Sequence, residues 1–212
     1  GTEAPLYFHP MFEFKLAGLA PGNPEFPDRQ CRPFDLWRTT GVIGEGAGVL
    51  VLEPEESPRP AYCYIEGYAF ASDPIDGLGD GLRDAIRLAM GNAAVRPQSV
   101  DCISAWGPGH KIIDAAEAKA LASVFGAELD SVPVVSIKGA IGNPLGAAGA
   151  IQVIAAAMGF KHSLIPPNVN RTVPDPACPL NLSAAVRHVP QNVTLVNGHG
   201  LSGTNSCLVL AR

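Results

Sequence analysis

Val132-Pro133-Val134-Val135-Ser136 reads as a short β-branched strand. A few residues on, Gly142-Asn143-Pro144-Leu145-Gly146-Ala147-Ala148-Gly149-Ala150-Ile151-Gln152-Val153-Ile154-Ala155-Ala156-Ala157-Met158-Gly159-Phe160-Lys161 reads as a long helix with a single charge at its end. A helix that is apolar all round is expected to be buried on most sides. A strand leading to such a helix is the repeating unit of a layered α/β fold. The same alternation continues outward. Tyr62 to Ala71 suits a strand, and Leu78 to Ala94 an amphipathic helix through Leu82, Ala85, Ile86 and Ala89. Cys102 to Ala105 predicts a strand, Asp114 to Phe125 a helix, and Val193 to Asn197 and Ser206 to Leu210 the closing strands. Nearer the start, Pro10 to Ala20 predicts a short helix and Gly22 to Arg32 a proline-rich surface loop. Gly44 to Glu53 predicts a buried strand, ended by Pro54, Pro58 and Pro60.

The bulk numbers exclude several classes. The 212 residues, 47% apolar and 17% charged, are enough for one packed core, so a single domain over 1–212 is expected. A net charge of −5 without basic blocks gives no electrostatic reason for a nucleic-acid partner or an anionic membrane surface. No apolar run reaches the roughly 20 residues that span a bilayer, and no signal-type segment opens the chain, so a cytoplasmic location is the default expectation. The chain starts at Gly1 without Met, as expected of a processed, cut or recombinant product. Cys31, Cys63, Cys102, Cys178 and Cys207 are scattered, with no C-x-x-C pair. Neither a metal site nor a disulfide framework follows, and most are expected to act as small core hydrophobes. No cofactor is expected. Gly44-Glu45-Gly46-Ala47-Gly48 opens a strand rather than a helix, which argues against a nucleotide loop.

Five stretches together resemble one family. Cys31-Arg32-Pro33-Phe34-Asp35 with Val42-Ile43-Gly44-Glu45-Gly46-Ala47-Gly48-Val49-Leu50-Val51-Leu52-Glu53 is similar to a segment of the β-ketoacyl synthases of the thiolase superfamily. Ala105 to Glu117, Ser136 to Ala150, Ile165-Pro166-Pro167-Asn168-Val169-Asn170 and Asn197 to Asn205 agree with further motifs of that family in order and spacing. The resemblance is to its C-terminal half. It implies a thiolase-like fold, with this chain as the second repeat of a duplicated α-β-α-β-α sandwich, a mixed five-stranded sheet between helices.

Two positions depart from the family's pattern. Decarboxylative condensation needs a nucleophilic cysteine and imidazoles that assist loss of CO2 and stabilise developing negative charge. By the resemblance, the first family histidine falls on Trp106 and the second on Asn143, while the nucleophile lies upstream of Gly1. An indole N–H and a carboxamide can donate hydrogen bonds, but neither shuttles a proton. Three polar family positions are kept, Asp114, Glu117 and Lys138. Lys138 and Glu117 are expected to form a buried ion pair that orders the loop, in preference to a catalytic use of Lys138. His110, beyond the stiffening Pro108, and His199, where the family has phenylalanine, are candidate substitutes; a structural histidine is preferred for both.

Gly200, Leu201, Ser202, Gly203 and Thr204 match the glycine-rich loop that gates acyl entry in the family, with a simple turn as the alternative. The loop Pro74 to Gly81 is shorter than the family's, so an acyl pocket is expected to be altered or filled. The resemblance implies partners: the N-terminal ketosynthase half or a homo- or heterodimer partner over the open helix face, and an acyl carrier protein. The function expected is that of a degenerate, chain-length-factor-like or scaffold half of fatty acid or polyketide biosynthesis. The alternatives are an acyltransferase acting through a cysteine in the upstream half, and an excised fragment without activity of its own.

Overall fold

The computed structural model describes residues 1–22 and 25–212; Asn23 and Pro24 of the expected loop Gly22 to Arg32 lie outside the described residues. Its centre is a five-stranded sheet of β3 (Tyr64–Ser72), β9 (Thr204–Ala211), β8 (Val193–His199), β4 (Cys102–Ser104) and β5 (Val134–Val135), in that spatial order. β9 runs antiparallel to both β3 and β8, whereas β8, β4 and β5 are parallel to one another. The sheet is therefore mixed, as expected.

Strand periodicity explains the layering. In β9, Cys207 and Val209 join one core cluster with Leu195 of β8, while Leu208 and Leu210 turn to the other face with Val196. The first face is covered by α2 (Asp80–Asn92) and α3 (Lys111–Phe125), through Leu82, Ala85, Ile86, Ala89, Ala118 and Leu121. The second is covered by α5 (Ala148–His162), through Val153, Ala156 and Phe160. The helix α2 presses so close to β3 that a Cβ on Gly67 would stand 2.4 Å from the carbonyl oxygen of Ala89.

Several expectations need correction. The strand expected over Gly44 to Glu53 shrinks to β2 (Gly46–Ala47), paired with β1 (Thr2–Glu3). Val49, Val51 and Leu52 are 85%, 79% and 73% exposed, so the apolar run is not buried. An apolar strand pattern reports a need for cover, not the presence of it. The helix near the start runs earlier than expected, as α1 (Phe8–Leu16). The long helix expected from Gly142 starts later, as α5 (Ala148–His162), after a 3-10 turn over Leu145–Ala147; the short α4 (Lys138–Ile141), ending at Gly142, precedes it unexpectedly. The apolar α5 is buried on one side only, with Met158 exposed and Ile151 and Ile154 half-buried. A small antiparallel pair of β6 (Leu164–Ile165) and β7 (Arg187–His188), distant in sequence, adds to the expected elements. Among the described residues no helix is long and apolar enough to cross a membrane.

Candidate functional site

The parallel strands β4 and β5 deliver the chain to one end of the sheet, and the loop after β4 carries Trp106, Gly107 and His110. Its backbone is gripped on two sides. Glu117, buried on α3, accepts hydrogen bonds from Trp106 N at 2.9 Å and Gly107 N at 2.8 Å, and from Asn197 Nδ2 at 3.0 Å. Lys138 Nζ donates to Trp106 O at 2.5 Å and lies 3.8 Å from the centre of the Trp106 ring. The Trp106 carbonyl and the Gly107 N–H belong to one trans peptide and point in opposite directions. Glu117 and Lys138 therefore stand on opposite sides of that peptide. The expected ion pair between them is absent among the described residues, because each charge is spent on the backbone that separates them.

The charges behind the loop are strongly perturbed. Burial pushes the Lys138 ammonium down to about 7, with Glu117 opposing the shift. Burial raises the Asp114 carboxyl to about 7, against the lowering effects of the hydrogen bond from Phe34 N at 2.8 Å and of Arg38, whose Nε lies 3.4 Å away. Arg38 also binds Asp175 and donates to Lys111 O at 3.0 Å. Asp35, buried nearby, would be raised by desolvation; hydrogen bonds from the backbone of Val173, Trp37 and Thr172 hold it below the ordinary carboxylate range instead.

In front of this network lies an open cavity of about 900 Å³. Trp106, Asn143, His110, His199, Gly200 and Leu201 line it, and the segment from Glu3 to Leu19 supplies much of the facing wall. Of the two outcomes expected from the short loop at Pro74 to Gly81, an altered or a filled pocket, the filled one does not occur. Asn143 is placed by its backbone, with its N donating to Val42 O at 2.7 Å and its O accepting from Gly44 N at 2.9 Å. The Asn143 Oδ1 is buried and has no hydrogen-bond partner. Lys138, Glu117 and Asp114 stand behind the cavity wall and do not line it. Gly203 and Thr204 also fall outside the lining, because they close a tight hairpin turn in which Gly200 N donates to Thr204 O at 2.7 Å. Of the expected loop, only Gly200, Leu201 and Ser202 reach the cavity.

The two histidines play different parts. His110 caps the N-terminus of α3, its Nδ1 accepting from Ile112 N at 3.3 Å and Ile113 N at 3.4 Å. Burial and the nearby Arg38 hold its protonation below the usual range. The His199 Nδ1 lies 2.7 Å from Asn205 Oδ1 and 4.0 Å from Asp73 Oδ2. Sequence reasoning passed over Gln152, Arg38, Asp73 and Asn205. Gln152 ties α5 to the site through its Nε2, which donates to Ala105 O at 3.0 Å and Asn197 O at 3.2 Å. A glutamine in the middle of an otherwise apolar helix is the signal that could have found it. The cysteines offer no nucleophile: burial raises Cys31 to about 11 and Cys102, Cys178 and Cys207 to about 12, so all four are thiols at neutral pH.

Chemically, the cavity presents an indole, a carboxamide, the three imidazoles of His9, His110 and His199, and the carboxylates of Glu3 and Glu13, in front of a rigid charged support. It can bind and orient a ligand through hydrogen bonds. Among the described residues it has no activated thiol.

Residues 62–172 match the model of the β-ketoacyl synthase C-terminal domain. A putative polyketide β-ketoacyl synthase 1 of Streptomyces virginiae is 38% identical over 195 residues, covering 87% of this chain and 46% of that protein. The 3-oxoacyl-[acyl-carrier-protein] synthase 2 of Staphylococcus aureus is 32% identical over 219 residues, covering 99% of this chain and 54% of that protein. The chain thus spans about half the length of the curated relatives it matches. Among solved structures, the ishigamide ketosynthase/chain length factor superposes with a TM-score of 0.89 at 32% identity, over 100% of this chain and 52% of that one. A type II polyketide ketosynthase, in complex with its acyl-carrier protein and bound to the hexaketide, superposes with a TM-score of 0.92 at 29% identity, over 99% and 54% of the two chains. With its mixed sheet, its helices on both faces and its match to the domain model, this chain belongs to the β-ketoacyl synthase family, as a thiolase-like C-terminal half.

Proposed function

We propose that this chain is one domain, the C-terminal half of a ketosynthase-like subunit of fatty acid or polyketide biosynthesis, which binds acyl chains without decarboxylative condensation and acts as a chain-length determinant or scaffold. One observation carries the reading: Trp106 and Asn143 face the cavity where the family resemblance places the condensing histidines. Neither side chain can accept and return a proton near neutral pH. The retained support of Glu117 and Lys138 holds the Trp106 loop in place, so the cavity keeps its shape while lacking those acid-base groups.

The partners are an upstream half bearing the remaining repeat, or an active ketosynthase in a heterodimer, together with an acyl carrier protein. The complexes formed by the two solved ketosynthase relatives support this choice. So does the open, apolar side of α5. If the chain sets acyl length, Leu201→Trp, which fills the cavity mouth, shortens the products made by the intact complex, as read by mass spectrometry of the released acyl chains. An unchanged length distribution counts against a length-setting role.

A second reading, acyl transfer to a non-carbon nucleophile through a cysteine in the upstream half, is favoured by His199 in the cavity wall, since an imidazole can take the proton of an attacking hydroxyl or amine. Acyl loading of the full-length protein, followed by release onto such an acceptor, is the experiment that separates the two.

A further inference from the structure

Asn205 is buried in β9, and its neighbours dictate the orientation of its amide. Its Nδ2 donates to Gly203 O at 3.0 Å, which leaves Oδ1 facing His199 Nδ1 at 2.7 Å. A carbonyl oxygen at that distance accepts, so Nδ1 carries the proton. In the neutral ring Nε2 then holds a free lone pair.

Asp73 backs the same nitrogen. Its Oδ1 accepts from Gly79 N at 3.1 Å and Gly81 N at 2.8 Å, at the start of α2. Its Oδ2 is buried without a hydrogen-bond partner, 4.0 Å from His199 Nδ1. The side chains of His199 and Asp73 are only 10% and 7% exposed. The ring is therefore anchored from behind through one nitrogen, and it lines the cavity together with Trp106 and Asn143. An anchored imidazole with a free acceptor nitrogen is suited to a ligand that brings a hydrogen-bond donor. Asn143 adds a second polar residue to the same wall.

We propose that this cavity binds an acyl group that carries a hydroxyl, and that His199 Nε2 accepts the hydrogen bond from that hydroxyl. The inference rests on the reading of the cavity as an acyl-binding site. A saturated chain would displace water from Nε2 and leave nothing in its place, which disfavours it relative to a hydroxylated chain of the same length. Nothing in the recognition requires a covalent step.

The test uses the full-length protein or complex that carries these residues, titrated calorimetrically with the N-acetylcysteamine thioesters of octanoate and β-hydroxyoctanoate. The hydroxylated probe is expected to bind about tenfold more tightly. His199→Phe and His199→Asn, which remove the acceptor at Nε2, abolish the preference, whereas His199→Gln, which can place an amide oxygen near that position, retains part of it. Nitrogen NMR of His199 gives an independent reading: Nδ1 protonated, Nε2 bare, and the Nε2 resonance shifted by the hydroxylated probe alone. Equal affinity for the two probes, unaltered by His199→Phe, overturns the hydroxyl recognition and leaves the acyl-binding reading standing. Failure of both probes to bind overturns the acyl-binding reading and the inference together.

Discussion

Gly107 shows how tightly the loop after β4 is specified. Its φ is +37°, and a Cβ there would meet Phe34 Cε2 at 2.6 Å and Ser136 Cβ at 2.8 Å. Gly107→Ala is therefore expected to lower stability by about 2 kcal/mol, through backbone strain and overpacking together. Denaturant unfolding of the wild type and the variant checks this. Asp114 supports a pH prediction. Its folded pKa, raised from 3.8 to about 7, means that the folded state holds the proton more tightly than the unfolded one. Its contribution to stability is present in full below about pH 3.8 and is lost as the pH rises through 7. Asp114→Asn, which cannot titrate, should remove that downward slope, so the stability difference between wild type and variant changes across this window; a constant difference would contradict the assignment. At this scale the sequence was partly legible. Lys138, Glu117, Trp106 and Asn143 stood out from their motifs, and they do assemble at one end of the sheet. Asp73 and Asn205 did not stand out, because their partnership with His199 depends on the register of β3 and β9, which brings Ser72 opposite Thr204.

Among the elements, the strands and helices with strong periodicity, α2, α3, β8 and β9, fell within a few residues of expectation. The failures share a cause. The run Val49 to Leu52 has the pattern of a buried strand, yet it lies exposed and unpaired among the described residues. Periodicity states which side chains need cover and is silent on which chain supplies it. The same holds for α5, whose composition demands burial on all sides and which finds it within this chain on one. On the proposed function, both elements pack against the upstream half. Val51→Asp should weaken association of that half with this one at least about tenfold, as measured by titration of the separately produced halves. An unaltered affinity would place the interface elsewhere. The four-residue α4 escaped notice for a different reason: Lys138 to Ile141 is too short for any periodic signal, and the helix forms because Gly142, with φ +72°, ends it and turns the chain toward Asn143.

The molecule as a whole is a layered α/β scaffold with an open cavity at one end of its sheet. The mixed sheet, the two helical layers and the buried polar support of the Trp106 loop were legible as a family pattern spread over most of the chain. The open cavity was not, since its facing wall comes from residues 3–19, a segment without a recognisable motif. On the proposed function, Trp106 and Asn143 leave this subunit without the proton chemistry of decarboxylation. The most direct measurement is the rate of CO2 release from malonyl thioester of the acyl carrier protein by the purified full-length subunit, freed of any active ketosynthase partner. Release no faster than the spontaneous background is expected, with an increase in the double variant Trp106→His/Asn143→His. Rapid release by the unaltered subunit would contradict the proposed function.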